Sequence, residues 1–303
     1  MNDVEPPELP RGLALAWGVA ANPQRGPKRE MSVERIVDAA VELADAEGLG
    51  AVSMAAVAAK LGFTPMSLYR YVSAKDDLLL LMQEHATGFP PESFRQEEGW
   101  RAQLRALFEA QVLIYLRHPW LVSLPITGAP VTPSSSAWLD AALDALSETP
   151  LTEDERLAVA LSLTGEARWY GMVTAGYEAQ SRSTGLSLEE VSAEEAALFD
   201  RVVTAEDFPA LRRAIDAGVF LSEGDPFRFT VERLLDGVES YLEGLERGES
   251  HEAPRAWTQL DPAEVAGDKR YREALKAVRE AEKALVAARK AERQARRDAH
   301  ERL

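Results

Sequence analysis

The sequence contains no cysteine among its 303 residues. This absence excludes disulfide bridges and thiolate metal sites, and it fits a reducing cytoplasm. No apolar run approaches the roughly 20 residues that a membrane-spanning helix requires. The acidic, proline-rich beginning MNDVEPPELP is also unlike a signal peptide. Together these features predict a cytoplasmic protein that has no membrane partner.

Motifs of catalysis and of cofactor binding are lacking as well. The four histidines, His85, His118, His251 and His300, are far apart in the sequence, and none has an acidic neighbour at metal-ligand spacing. No nucleophile elbow, P-loop or dinucleotide-binding glycine pattern is present. The sequence therefore predicts a protein that is not an enzyme and that holds neither a metal nor a cofactor.

Positive charge is scarce overall, because the net charge is −16. It is unevenly distributed, however: residues 268–303 contain 12 Lys and Arg against 7 Asp and Glu. Residues 88–267 contain only 14 against 31. Since a DNA-binding protein needs a local basic face rather than a basic total, this balance does not exclude nucleic acid as a partner.

The periodicity of the apolar residues is helical throughout, and no alternation typical of a β-strand extends beyond four residues. The stretch LGFTPMSLYRYVSAK, residues 61–75, predicts a short helix in which Thr64 is the N-cap and Pro65 the first helical residue. Its inner edge is apolar, whereas its outer edge carries groups that can contact bases and phosphates. We expect an all-α fold.

Two helices precede this short helix and one follows it. Ser32 is the expected N-cap of a long helix, Ser53 caps a short second helix that ends at Gly62, and Ser73 is the expected cap of the helix that follows residue 72. A long helix, a short helix, a tight turn and a second short helix form a helix-turn-helix.

Residues 36–82, with the segment LGFTPMSLYRYVSAKDDLL, resemble the tetracycline-repressor (TetR) family of transcription regulators. The segments HPWLVSLP, FPALRRAI and FTVERLLDGVESYL resemble parts of the tetracycline-repressor-like C-terminal domain of that family. The resemblance implies a homodimer that binds a palindromic, double-stranded operator and leaves it when a small, largely apolar molecule binds. Without a strong DNA contact at Ala55, where relatives often carry Arg, two alternatives stay open. One is a ligand-binding or protein-interaction module with weak DNA binding, and the other is a ligand-independent architectural DNA binder.

The predicted organisation has five parts. Residues 1–27 form a poorly ordered leader and 28–87 a helix-turn-helix domain with three helices. Residues 88–248 form an all-α domain for ligand binding and dimerisation, 249–268 a linker, and 269–303 a long C-terminal helix.

The resemblance also implies which residues contact DNA. Residues near base edges, the sugar-phosphate backbone or a neighbouring minor groove are Arg25, Lys28, Arg29, Ser53, Met54, Ala55, Thr64, Pro65, Met66, Ser67, Tyr69, Arg70, Tyr71 and Lys75.

Two further sets of residues are expected in the C-terminal domain. Candidates for the ligand pocket are Trp100, Leu104, Phe108, Tyr115, Trp138, Arg168, Trp169, Tyr170, Met172 and Tyr177, although aromatic residues at helical spacing are more often plain core. The dimer is expected to form as a four-helix bundle from helices near 152–179 and 226–246, with the stripe Phe229, Leu234, Leu235, Val238 and Leu242.

The C-terminal segment has a heptad pattern of small residues. Alanines stand at 274, 277, 281, 284, 288, 291 and 295, which are the a and d positions of a heptad repeat. We expect a single helix over 270–300 whose alanine stripe packs on another helix, although a segment rich in Ala, Glu, Lys and Arg can also be a solvated single helix.

Overall fold

The computed structural model describes residues 9–19, 31–126, 131–221, 224–251, 267–300 and 302. The described residues form α-helices and short 3₁₀ turns and contain no β-strand, so the predicted all-α fold is confirmed. The predicted DNA-contact residues Arg25, Lys28 and Arg29, most of the leader and most of the linker lie outside the described residues.

Twelve helices are described. They are α1 (Arg11–Ala16), α2 (Val33–Glu47), α3 (Met54–Leu61), α4 (Pro65–Leu68), α5 (Lys75–Thr87), α6 (Gly99–Arg117), α7 (Pro133–Ala145), α8 (Glu153–Thr184), α9 (Leu188–Val202), α10 (Pro209–Asp216), α11 (Pro226–Glu246) and α12 (Lys269–His300). Short 3₁₀ turns lie at Leu49–Ala51, Glu92–Gln96, Pro119–Ser123 and Val219–Leu221.

Local capping explains where α2 and α3 begin. The hydroxyl of Ser32 accepts a hydrogen bond from the backbone N–H of Arg35, and the hydroxyl of Ser53 accepts one from Ala56, as the sequence predicts. Gly62 ends α3 in the left-handed conformation, with φ of 77°, which favours glycine.

Two predicted caps are corrected. Thr64 stands at the N-cap position of α4, but its hydroxyl lies 2.9 Å from that of Ser67 and makes no cap bond to the backbone. The N-cap of α5 is Ala74 rather than Ser73, and it has no side-chain bond to offer. Helix α5 therefore depends on packing, since its residues Leu78 and Met82 are fully buried.

The helices around the helix-turn-helix share one hydrophobic core. Ile36, Val57, Leu68, Val72 and Leu78 are fully buried in it. The same core also contains Trp120, Leu121 and Leu124, which follow α6 in the sequence. The 3₁₀ turn Pro119–Ser123, which lies beyond the predicted boundary at residue 88, therefore contributes side chains to the N-terminal core.

A second core lies among α6, α7, α8 and α11. Its members come from all four helices, among them Leu104, Trp138, Leu163 and Leu235. Chain contacts group residues 1–249 into one compact unit and residues 250–303 into another.

Helix α12 belongs to the second of these units. It is one continuous helix, Lys269–His300, as the sequence predicts for 270–300. Its alanines at 274, 277, 281, 284, 288, 291 and 295 are all exposed in the single chain. Packing of this stripe on another helix stays a prediction.

Candidate functional site

The face formed by α3, α4 and the turn after α4 presents most of the predicted DNA-contact residues to solvent. Met66 is 71% exposed and Tyr69 45% exposed. The exposed members are Ser53, Ala55, Thr64, Pro65, Met66, Tyr69, Arg70 and Lys75, while Ser67 and Tyr71 are half-buried. We call this set the reading face.

Met54 is a correction to that set. Its side chain is only 6% exposed and belongs to the N-terminal core. The first residue of α3 therefore faces inward, and Ser53 and Ala55 on either side of it face outward. Sequence spacing alone could not separate these orientations, because α3 has only eight residues and most of them are apolar.

The basic residues of the reading face have no acidic partners within the part of the chain that the structure describes. Arg70 and Lys75 make no ion pair there, in contrast to Lys60 on α3, whose Nζ lies 3.1 Å from a carboxylate oxygen of Glu42. Two unneutralised cations on one exposed face of an acidic protein give that face the local positive charge that phosphate binding requires.

A cavity of about 350 Å³ lies among α6, α8 and the beginning of α11. Its wall contains both apolar and charged side chains. They are Arg105, Phe108, Glu109, Val112, Leu113, Tyr170, Asp225, Arg228, Val231 and Glu232. Of the residues predicted to line a ligand pocket, Phe108 and Tyr170 contact this cavity.

The remaining pocket candidates lie elsewhere. Leu104 and Trp138 are buried in the second core, where the indole N–H of Trp138 donates to the carbonyl of Gly88 at 2.9 Å, and Trp100 and Tyr115 pack against that core. The hydroxyl of Tyr177 hydrogen-bonds to Glu195. Trp169 and Met172 are exposed on α8.

Arg168 has a structural contact in place of the predicted ligand contact. Its guanidinium donates to the carbonyl oxygens of Val122, at 3.0 Å, and of Leu124. These hydrogen bonds connect α8 to the segment that begins with the Pro119–Ser123 turn.

Some charged side chains of the cavity wall form ion pairs within the chain, and others do not. Arg105 and Glu232 form a double hydrogen bond with distances of 2.7 and 3.0 Å, and Arg101 also donates to Glu232 at 2.8 Å. These two guanidinium groups lower the pKa of Glu232 to about 2. Within the described residues, Arg228 and Glu109 make no ion pair, so one cation and one anion remain available to a bound molecule.

Two contacts join the helix-turn-helix to the rest of the unit. Asp45 on α2 accepts from the indole N–H of Trp120 at 2.7 Å and lies 2.8 Å from Nδ1 of His118. Glu84 on α5 accepts from the N–H and the hydroxyl of Ser134 in the first turn of α7. These contacts connect α7 and the Pro119–Ser123 turn to α5 and α2, and α2 in turn packs against α3 of the reading face.

A helix-turn-helix with an unneutralised basic face, joined to a helical domain that contains a cavity, defines a DNA-binding regulator. Two family models match the chain: bacterial regulatory proteins of the tetR family over residues 36–82, and the tetracyclin repressor-like C-terminal domain over residues 93–242. Similarity to the HTH-type transcriptional repressor DrrR1 of Streptomyces coeruleorubidus is 33% identity over 245 residues, which covers 80% of this chain and 90% of the relative. The chain therefore belongs to the TetR family of bacterial regulatory proteins.

Solved structures agree on the fold. Apo ActR from Streptomyces coelicolor has a TM-score of 0.55 at 22% identity, with 72% of this chain and 99% of that chain covered. ActR in complex with actinorhodin has a TM-score of 0.55 at 21% identity, with 70% and 96% covered. TetR-family members bind operator DNA and small-molecule effectors and form dimers, and this protein is a DNA-binding transcriptional regulator of that family.

No described helix is both long enough and apolar enough to cross a membrane. Within the same residues, no group of three His, Asp or Glu side chains is placed to hold a metal ion.

Proposed function

We propose that the protein is a repressor that a small molecule releases from a palindromic operator in the cytoplasm. The observation that best supports this proposal is the reading face, whose exposed Arg70 and Lys75 lack acidic partners among the described residues. The name of the relative DrrR1, a transcriptional repressor that is 33% identical over most of both chains, supports repression rather than activation.

The reading face divides its contacts by position. Residues at the beginning of a recognition helix meet base edges, so Thr64, Pro65, Met66 and Ser67 face the major groove, with Arg70 at the edge of the same groove. Tyr69, Tyr71 and Lys75 come after the helix and contact the sugar-phosphate backbone. Phosphate contacts set affinity without sequence information, whereas base contacts set specificity.

Selection of operators from random duplex DNA tests this division. The Arg70→Ala variant should return a changed sequence preference, while Tyr69→Phe combined with Lys75→Ala should bind every duplex more weakly by a similar factor. Arg201→Ala, on α9 away from the reading face, is the control. An unchanged preference for the Arg70 variant would remove that residue from the base contacts.

Salt titration separates this proposal from the two alternatives. A specific regulator keeps a large preference, typically about 10³–10⁷-fold, for its selected duplex over random DNA. An architectural binder or an interaction module with weak DNA affinity would lose nearly all of its binding through counterion competition and show little preference.

The effector site that we propose is the cavity among α6, α8 and α11. Aromatic Phe108 and Tyr170 and aliphatic Val112 and Val231 form an apolar wall, and the free Arg228 can pair with an acidic group. The best-matched ligand is a flat, largely apolar molecule that carries an anionic group. This site shares only Phe108 and Tyr170 with the predicted pocket. Trp138 and Arg168, for example, are engaged in contacts within the chain.

A cavity-filling substitution tests the site. Compounds of the aromatic acid class are screened for release of the selected operator, measured by fluorescence anisotropy. Leu113→Trp, at an exposed position of the cavity wall, should bind the operator normally and lose the response to an active compound, whereas Leu188→Trp, on the exposed surface of α9, should keep it. A Leu113→Trp variant with an unchanged dose response would show that the effector binds elsewhere.

The protein releases the operator if the effector binds more tightly to a domain arrangement in which the recognition helices no longer fit the operator. A bound molecule contacts α6 and α8, and α8 holds the Pro119–Ser123 segment through Arg168. That segment contacts α2 through Trp120 and Asp45. The ligand shifts the equilibrium only by its differential affinity for the two arrangements.

The dimer interface that we propose is the exposed apolar stripe of α8, together with Phe229 of α11. Leu157, Leu161, Trp169 and Met172 are separated by four, eight and three residues, so they lie along one face of α8, and all are exposed in the single chain. Two recognition helices then lie about 34–36 Å apart, which is one turn of DNA.

Part of the predicted interface is corrected. Leu235, Val238 and Leu242 are buried in the core of their own chain, so a charge at Leu235 or Val238 would disrupt folding rather than dimerisation. Phe229 is 64% exposed and Leu234 half-buried, and they keep the proposed role.

The test uses exposed positions. Leu161→Glu combined with Trp169→Glu should sediment as a folded monomer that binds the operator poorly, and Leu188→Glu should stay dimeric. A folded double variant that remained dimeric would refute the α8 interface.

A further inference from the structure

The N-terminal helix α1 lies outside both segments that match family models, yet it is docked on the helix-turn-helix. The backbone N–H of Gly12 donates to Oδ1 of Asp77 at 3.1 Å, and Leu15 and Ala16 pack against the N-terminal core. Gly12 is buried, and a Cβ at this position would lie 2.7 Å from Oδ1 of Asp77. Glycine therefore permits a close approach between α1 and α5.

Helix α1 runs along α5 in the same direction. Its beginning meets Asp77 in the first turn of α5. Just after its end, the indole N–H of Trp17 donates to the carbonyl of Val131 at 2.7 Å. Val131 lies three residues before Ser134, whose backbone N–H donates to Glu84 of α5. At a rise of 1.5 Å per residue, Glu84 lies about 10 Å beyond Asp77 along α5. The beginning of α1 is therefore near the beginning of α5, and the end of α1 is near a segment that contacts the later part of α5.

This direction places Arg11 at the reading face. Its guanidinium lies 3.5 Å from the carbonyl oxygen of Arg70, at the outer limit of a hydrogen bond. Arg11 is exposed and makes no ion pair within the described ranges, and the cations Arg70 and Lys75 belong to the same face. A long bond to one carbonyl leaves most of the N–H donors of this exposed guanidinium free for another partner.

We propose that Arg11 is a further DNA-contact residue, which binds a backbone phosphate beside the end of the recognition helix, and that docking of Gly12 on Asp77 positions it. The guanidinium geometry suits bidentate contact with phosphate oxygens. The partner is a phosphate rather than a base edge because Arg11 lies against the backbone carbonyl of Arg70, which joins that residue to Tyr71, and Tyr71 is among the residues proposed to contact the sugar-phosphate backbone. The proposal rests on the proposed function, since it requires the reading face to bind duplex DNA.

Arg11→Gln tests the contact through the salt dependence of binding. The probes are a 30-base-pair duplex selected by the wild-type protein and a random duplex of the same length. Each lost phosphate contact lowers the slope of log K against log salt by about 0.9, so a dimer should lose roughly 1.8. Binding to both duplexes should weaken by a similar factor, and the selected sequence should stay the same. Arg213→Gln, an exposed arginine on α10, is the matched control.

Gly12→Val tests the positioning. The added side chain should lift α1 from Asp77 and reduce the slope as Arg11→Gln does, although Arg11 is still present. An unchanged slope in Gly12→Val alongside a reduced slope in Arg11→Gln would refute positioning by the docked helix. An unchanged slope in Arg11→Gln would refute the contact itself. Wild-type protein that bound no selected duplex would instead refute the proposed function.

Discussion

Removal of the Glu84 carboxylate should destabilise the joint between α5 and α7. Glu84 accepts from the N–H of Ser134 at 2.8 Å and from its hydroxyl at 2.7 Å, and Ser134 is only 2% exposed. Glu84→Ala leaves the buried N–H of Ser134 without this acceptor and removes a negative charge from the positive end of α7, whereas the hydroxyl of Ser134 keeps the backbone carbonyl of residue 84 at 3.2 Å. Hydrogen bonds to charged groups and unsatisfied buried donors are each worth about 1–3 kcal/mol, so we expect a loss of roughly 3 kcal/mol in the free energy of unfolding.

The conservative variant separates hydrogen bonding from charge. Glu84→Gln keeps an acceptor oxygen and loses only the charge at the helix end, which is worth about 0.3–1 kcal/mol at an exposed site and up to about 2 kcal/mol when partly buried. At about 2–4 °C per kcal/mol for units of this size, Tm should fall by roughly 6–12 °C in Glu84→Ala and by a few degrees in Glu84→Gln.

Thermal melts and urea titrations of the full chain measure both variants, and an unchanged m-value ensures that stability alone has changed. Gln83→Ala, an exposed neighbour on the same helix, is the control and should stay within about 0.5 kcal/mol. Equal stability of Glu84→Ala, Glu84→Gln and the wild type would refute the role of the Glu84 carboxylate in joining α5 to the first turn of α7.

Three further predictions concern other parts of the chain. The pKa of Glu232 is lowered from its usual 4.5 to about 2, so its ion pairs stabilise the folded state above pH 4.5 and this contribution is lost as the pH falls toward 2. Glu232→Gln should therefore flatten the dependence of the urea midpoint on pH over that window, and parallel curves would contradict this. A Cβ on Gly171 would lie 2.5 Å from Cβ of Tyr115, so Gly171→Ala should lose about 1–3 kcal/mol by urea titration, while Gly50→Ala, which has open space, should lose little. Simultaneous Ala281→Glu, Ala284→Glu and Ala288→Glu substitutions should leave the melting temperature of the 1–249 unit unchanged, because all three sites are exposed. A lower oligomeric state by sedimentation would show that the alanine stripe packs on a second chain.

The sequence alone determined the fold class, the helix-turn-helix and the family, because these depend on local signals. Ser32 and Ser53 cap the helices that they precede, Gly62 adopts the positive φ that ends α3, and apolar residues recur at helical spacing. Each signal acts within one turn of helix, so it can be read without knowledge of distant residues.

Only the tertiary structure decided which face each side chain presents. Met54 is apolar and adjacent to the exposed Ser53, yet it is buried because α2 packs against α3. Leu235 and Leu161 both occupy apolar positions of a helical pattern. Leu235 is buried in the core with residues of α6 and α8, whereas Leu161 is exposed. The partners of Glu84 and Arg11 are 50 and 59 residues away, and contacts at such separations depend on how the helices pack rather than on any local pattern.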